Sequence, residues 1–331
     1  MNMIEQGVLQ QGKLIHLLIR ILLLSTICFS QLVSADTLPH EGGIKEKNVH
    51  IIYSADSTLH SNIAQKITED LAGMHPDIRV LKATPEEKVK TAADNDIIIG
   101  IGSAAIQNTN KHYPRVRKLF ISTAPNKEQL DKNKNKNDAI LYMTQPYCRQ
   151  IRFIKLLNPR WKTISILSSQ IKAVDSKAIK QCANKYDIKV YIVSVSAEEN
   201  ITHKIKHALH HSDVLLALPD SSIYNSKTVK SILLTSYRYR KPVIAFSKNF
   251  VTAGALAAIY SSTEKIAQSA SKLIVQHFDA DKQMKPRSHP DAFDIEINRQ
   301  VFMALDMTVP NVENLKQILA QPERAKPGEA Q

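Results

Sequence analysis

From residue 49 the chain alternates between short β-branched runs and longer stretches with helical spacing. Val49-His50-Ile51-Ile52-Tyr53 reads as a strand. Leu59, Ile63, Ile67 and Leu71 follow at the spacing of one helix face. Ile78-Arg79-Val80-Leu81, Asp96-Ile97-Ile98-Ile99-Gly100 and Lys118-Leu119-Phe120-Ile121-Ser122 read as three further strands with helices between them. Residues 126–138 break the pattern: they are rich in Lys, Asn and Asp, lack periodicity, and predict an exposed connector. The alternation then restarts with Ile140-Leu141-Tyr142, a helix over 147–157 and a strand over 163–167. Further strands are expected at 188–193, 213–218 and 242–246. Continuous Ile and Val runs separated by helices indicate parallel sheets covered on both faces. The expected fold class is therefore α/β, with two doubly wound parallel-sheet lobes joined by a hinge.

The first 35 residues stand outside this pattern. Lys13 and Arg20 precede the apolar run Ile21-Leu22-Leu23-Leu24-Ser25-Thr26-Ile27-Cys28-Phe29, and Val33-Ser34-Ala35 supplies the small residues a signal peptidase needs. A signal peptide over 1–35 and a periplasmic mature protein are expected. An uncleaved anchor is the competing reading, but His16 and Arg20 interrupt the stretch short of the ~20 apolar residues a span needs. The remainder of the chain exceeds the common domain size of ~100–150 residues, consistent with two lobes. At 43% hydrophobic and 23% charged the composition is that of an ordinary globular protein. The formal charge of +13 is scattered over helix faces and Lys132-Asn133-Lys134-Asn135-Lys136-Asn137 without interleaved aromatics, so a solvated surface is expected and no nucleic-acid partner. Cys148 and Cys182 fall in predicted helices of one lobe; spacing alone leaves a disulfide and two buried thiols both open.

Few motifs carry chemistry. Gly100-Ile101-Gly102-Ser103-Ala104-Ala105 fits a loose dinucleotide fingerprint. It follows the third strand rather than the first, however, and no acidic residue lies ~20 positions on, which speaks against a nicotinamide site. What survives is local: glycines admit close backbone approach, and a helix start offers N–H groups to an anion. His203, His207 and His211 share a helix face with His210 beside them, opposite Ile201, Ile205, Ala208 and Leu209. These histidines are expected in solvent, so no resident metal is expected. No nucleophile elbow or zinc-protease motif occurs, and no enzyme activity or cofactor is expected. Polar residues do recur at strand carboxyl ends: Ser54-Ala55-Asp56-Ser57, Gly102-Ser103, Ser122-Thr123, Ser168-Ser169-Gln170, Ser194, Ser196, Asp220-Ser221-Ser222 and Ser247. Parallel sheets bind ligands there. Turns and helix caps use the same residue types, and for any single serine that is the simpler explanation.

Residues 213–275 add a family likeness. Asp213-Val214-Leu215-Leu216-Ala217-Leu218-Pro219-Asp220, Tyr224-Asn225, Ile232-Leu233-Leu234-Thr235, Lys241-Pro242-Val243-Ile244-Ala245-Phe246-Ser247, Ala253-Gly254-Ala255-Leu256-Ala257 and Ile297-Asn298-Arg299-Gln300 resemble the uncharacterised substrate-binding proteins of ABC transporters, relatives of tryptophan- and tyrosine-binding proteins. The glycine turn at 100–105 matches as well. This resemblance implies the type 1 periplasmic binding fold, with lobes that exchange segments. Lobe one would hold 36–125 plus 256–285, lobe two 126–255 plus 286–310, and 311–331 would form a tail. It also implies a monomer that binds a small polar or amino-acid-like molecule between its lobes and passes it to a membrane permease. Signalling to a membrane sensor is the alternative role. The implied ligand contacts are Ser54, Ser103, Ser122 and Thr123 in lobe one, and Ser169, Asp220, Tyr224 and Ser247 in lobe two. Asp220 would pair a ligand amine, or else cap the following helix. Aromatic residues make up only 6% of the chain and are sparse near these turns, so no apolar wall for an aromatic ligand is visible in the sequence.

Overall fold

The computed structural model describes residues 47–54, 57–87, 96–122, 138–169, 174–196, 199–279 and 286–321. These residues fall in one compact unit, and it contains two six-stranded sheets. The first is built from β1 (Lys47–Tyr53), β2 (Ile78–Ala83), β3 (Ile97–Ile101), β4 (Arg117–Ser122), β5 (Ala139–Tyr142) and β11 (Arg287–Ser288), in the order β11-β5-β4-β3-β1-β2. The second is built from β6 (Thr163–Ser169), β7 (Lys189–Val195), β8 (Val214–Leu216), β9 (Val243–Ala245), β10 (Ala257–Tyr260) and β12 (Asp294–Ile297), in the order β12-β10-β9-β8-β6-β7. The two sheets repeat one plan. In each, the leading strand lies between the second and third, so the strand order reverses between β1 and β3 and again between β6 and β8. All pairings are parallel except β10 with β12.

Apolar periodicity explains the layers. Ile97, Ile98, Ile99 and Ile101 of β3 are all fully buried, which requires cover on both faces. One face packs against Ile63, Ala64, Ile67 and Leu71 of α1 (Thr58–Met74) and Ile266, Ala267, Ala270 and Ile274 of α8 (Thr263–Asp279). The other packs against Ala105 of α2 (Ser103–His112). Around the second sheet, α3 (Tyr147–Leu157), α4 (Ser176–Asn184), α9 (Arg299–Ala304) and α10 (Val312–Ala320) contribute to one core. Residues of α5 (Ile201–His210), α6 (Val229–Arg238) and α7 (Lys248–Thr252) form another. Each fully buried Ile or Leu contributes about 1.5–3 kcal/mol, so these stripes outweigh the weak intrinsic stability of helices this short.

The α/β architecture agrees with the sequence expectation, but the chain changes lobes at other points. The strand at 139–142 was expected in lobe two; it pairs with β4, Leu119 opposite Ala139 through Ser122 opposite Tyr142, and so belongs to the first sheet. Residues 257–260, expected in lobe one, form a strand that pairs with β9 in the second sheet. Residues 287–288, expected in lobe two, pair with β5. Each crossover thus comes one strand later than the resemblance implies, and it is the pairing of β5, β10 and β11 that decides their sheets. Residues 312–320 are no tail: Leu315 and Leu319 are buried in the second lobe. Of the expected connector at 126–138, residues 126–137 lie outside the described residues, and Asp138 is half-buried at the start of β5.

The crossovers occupy 143–146, 261–262 and 289–293. The first leaves the carboxyl end of β5 and enters the start of α3. The second leaves the carboxyl end of β10 and enters the start of α8. The third leaves the carboxyl end of β11 and enters β12, which runs antiparallel to β10 and so begins at that same edge. All three are short and join carboxyl edge to carboxyl edge, so these edges of the two sheets adjoin. Cys148 of α3 and Cys182 of α4 form a disulfide with a Cα separation of 4.8 Å, which resolves the alternative the sequence left open.

Candidate functional site

Both reversals of strand order lie at the adjoining edges, where doubly wound sheets open a crevice for ligands. In the first lobe the reversal falls between β1 and β3. Tyr53 stands opposite Ile101, so Ser54 and Gly102 are neighbours just past the strand ends. Ile101 stands opposite Ile121, which brings Ser122 alongside. Ser54 is half-buried, Ser122 is buried, and Ser103 is exposed as the first residue of α2. No side chain caps α2: its N-cap is Gly102, with φ 87° and ψ 166°. The start of this helix therefore presents backbone N–H groups and a partial positive charge.

Gly102 is required twice over. Its backbone lies in a region essentially restricted to glycine. A Cβ there would also stand 2.4 Å from Cε1 of His60. His60 sits in the first turn of α1, whose N-cap Ser57 accepts a hydrogen bond from the His60 N–H at 3.4 Å. Its ring thus spans the strand reversal of the first lobe. Nothing in the sequence spacing marked His60; the signal was the glycine it packs on.

In the second lobe Ser169 and Asp220 span the reversal between β6 and β8, and they touch. The Ser169 N–H donates to Oδ2 of Asp220 at 3.3 Å. Oδ1 of Asp220 accepts from the Ser222 N–H at 3.1 Å and from the Ser222 hydroxyl at 2.6 Å. Burial pushes the Asp220 carboxyl up, but the hydrogen bonds from Ser169 and Ser222 outweigh it and hold the group below the usual carboxylate range. A buried anion thus stands at this strand reversal, and its bonds to Ser222 also shape the turn after it. Ser247 is half-buried at the start of α7.

Tyr224 is placed differently from its neighbours. Its ring is buried edge-on to Phe246 and Phe250, with centroids 5.9 and 5.8 Å away. Its hydroxyl is buried without a hydrogen-bond partner. Burial first, and the Asp220 charge second, push its pKa strongly upward. An aromatic group therefore does stand beside the strand ends of the second lobe, which the low aromatic content had concealed. Phe246, directly after β9 and half-buried, is its member nearest the edge. Thr123, also expected in the site, lies outside the described residues, as do Asp56 and Gln170.

The histidine group faces solvent as expected: His203, His207, His210 and His211 are exposed, with the His207 and His211 rings 5.0 Å apart. Among the described residues no three His, Cys, Asp or Glu side chains gather as a metal site, and no helix is long and apolar enough to cross a membrane.

Two lobes of one plan, sharing three crossovers and setting polar groups at facing strand reversals, define a two-lobed α/β binding fold. Residues 36–322 match the ABC transporter substrate binding protein family, and the chain belongs to it. Its relatives include a tyrosine-binding protein from Clostridioides difficile, 24% identical over 241 residues that make up 70% of this chain and 68% of that one. Two solved structures share the fold. One is a ligand-free, open substrate-binding protein with adhesive properties from Clostridium difficile: TM-score 0.61, 17% identity, 81% of this chain and 97% of that one. The other is an ABC domain in complex with L-Trp from Streptococcus pneumonia: TM-score 0.58, 17% identity, 82% and 98% of the two chains.

Proposed function

We propose that this protein is the periplasmic solute receptor of an ABC transport system and holds an amino-acid-like ligand between the carboxyl edges of its two sheets. The observation that carries this reading is the placement of complementary charge at the two strand reversals. An uncapped helix start in the first lobe suits a carboxylate. An ionised aspartate in the second suits an ammonium group. Ser54, Ser103 and Ser122 on one side, and Ser169 and Ser247 on the other, supply short hydroxyls for the remaining polar groups. The half-buried ring of Phe246 offers an apolar surface beside them. Family membership and the tyrosine and tryptophan named for its relatives agree with such a ligand.

The mechanism is binding without chemistry. The ligand enters from one lobe, rotation at the crossovers brings up the other, and water leaves the polar groups that now contact it. The monomer then docks on its permease. A signal peptide over residues 1–35 takes the chain to that compartment. The test is thermal unfolding of the mature protein with amino acids, nucleosides, sugars and organic anions. A ligand at 100 times its dissociation constant adds ~2.7 kcal/mol and raises the melting temperature. An α-amino acid is expected to score, with Asp220→Asn and Ser103→Ala each weakening it. If both variants keep wild-type affinity, the site is elsewhere.

A further inference from the structure

The three crossovers are joined by one buried polar relay, and its centre is Gln145. This residue lies on the first crossover and is 3% exposed. Its Nε2 donates to the Ser261 hydroxyl on the second crossover at 2.6 Å. That hydroxyl donates in turn to the Ala292 carbonyl on the third, at 2.8 Å. The opposite end of Gln145 is also engaged: Oε1 accepts from Nη1 of Arg149, which reaches the Pro290 carbonyl on the third crossover at 3.3 Å. The Arg149 guanidinium lies over the Phe293 ring, 4.8 Å from its centroid. Even the Gln145 carbonyl accepts a bond, from Nε2 of Gln150 at 2.6 Å.

Other contacts repeat the same linkage. The His289 ring stacks on Tyr142 with centroids 4.7 Å apart, and its Nδ1 lies 2.6 Å from the Thr144 carbonyl. Lys265, in the first turn of α8, donates to the Phe293 carbonyl at 2.9 Å and pairs with Asp294. Each of the three crossovers is thereby bonded to the other two.

We propose that Gln145 and Ser261 are positioning residues that set the angle between the lobes, and that they tune ligand affinity without touching ligand. A planar amide held at one end by Ser261 of the second crossover, and at the other by Arg149 of α3, which itself reaches the third, has one geometry that satisfies every bond. Rotating one lobe against the other separates the crossovers and leaves buried polar groups unpaired. The relay therefore biases the population of lobe angles, and apparent affinity scales with the fraction of molecules at the binding-competent angle. This step rests on the ligand-binding reading for its effect on affinity, but its structural half does not.

The experiment measures the two halves separately. Spin labels at Lys111→Cys in the first lobe and Lys206→Cys in the second report the interlobe distance in the ligand-free protein by pulsed electron resonance. Gln145→Leu and Ser261→Ala are expected to broaden or shift that distribution, while Ser261→Thr, which keeps the hydroxyl, restores it. Melting temperatures and circular dichroism show which variants remain folded. A folded Gln145→Leu or Ser261→Ala protein with the wild-type distribution overturns the proposal, whether or not a ligand is known. With an amino acid that scores in the thermal screen, the same variants are expected to change its affinity at least fivefold. Unchanged affinity alongside a broadened distribution overturns the affinity half alone. A screen without hits counts against the ligand reading and leaves the distance result intact.

Discussion

Gly102 shows how one residue ties the fold to the site. Its positive φ turns the chain from β3 into α2, and its missing side chain leaves room for the His60 ring. Gly102→Ala therefore carries two separate costs. The backbone conformation costs about 1–3 kcal/mol for any residue with a Cβ. The Cβ also strikes the imidazole at 2.4 Å, so the ring has to move. Adding His60→Ala removes the second cost and leaves the first. Gly102→Ala is therefore expected to lower the urea midpoint less in a His60→Ala background than in the wild type. If it costs the same in both backgrounds, the ring contact contributes nothing to the strain. Asp220 is a contrasting case, since its carboxylate serves its own lobe through Ser169 and Ser222 while standing at the strand reversal. Its Asn variant is preferable to Ala for ligand tests, because Asn keeps an acceptor for the Ser222 N–H.

At the level of elements, the apolar pattern located most strands within a residue or two, and the helix expected at 147–157 runs from Tyr147 to Leu157. Periodicity reports burial, and in a sheet covered on both faces burial is nearly complete, so position was legible. Partner choice was not. Ile140 and Leu141 are equally apolar whichever sheet they join, and only the register with Leu119 and Ile121 decides it. The candidate serines were visible as residues after strands, whereas Gln145, His60 and Phe246 owe their importance to contacts across long stretches of chain. The cysteines belong to this scale too. Their bond joins α3, which begins at the first crossover, to α4, which comes after the Ser169 strand, across a separation of 34 residues. Closing a loop of that size typically contributes 2–4 kcal/mol, mainly by restricting the unfolded chain. Cys182→Ser is thus expected to lower the unfolding free energy by about that amount, with reductant producing the same loss in the wild type and none in the variant. Equal sensitivity of both proteins to reductant would show that the bond is not what holds the pair.

For the whole molecule, stability against pH integrates carboxyl groups shifted in opposite directions. Burial pushes the Asp213 carboxyl up, but bonds from the Lys162 N–H at 2.8 Å, the Thr163 hydroxyl at 2.8 Å and the Thr163 N–H at 2.9 Å outweigh it and lower its pKa. Asp220 is lowered in the same manner. Such groups stabilise the fold above the usual carboxylate range and lose that contribution as pH falls through their folded values. Asp138 runs the other way. Burial beside β5 raises its pKa to about 6, against the attraction of Lys118, whose Nζ lies 3.4 Å away. The fold therefore favours the protonated form. The stability this group contributes is complete below its unfolded value near 3.8 and is lost as pH rises through about 6. Other groups contribute to the wild-type curve as well, so that curve alone does not isolate Asp138. Comparison with Asp138→Asn does, because the other groups are common to both proteins. The difference in urea midpoint between them is expected to change between about pH 4 and 7, in the direction of relative loss for the wild type, and to be level on either side. A difference that stays constant across that range would mean that Asp138 titrates alike in the folded and unfolded chain, and that Lys118 compensates its burial in full.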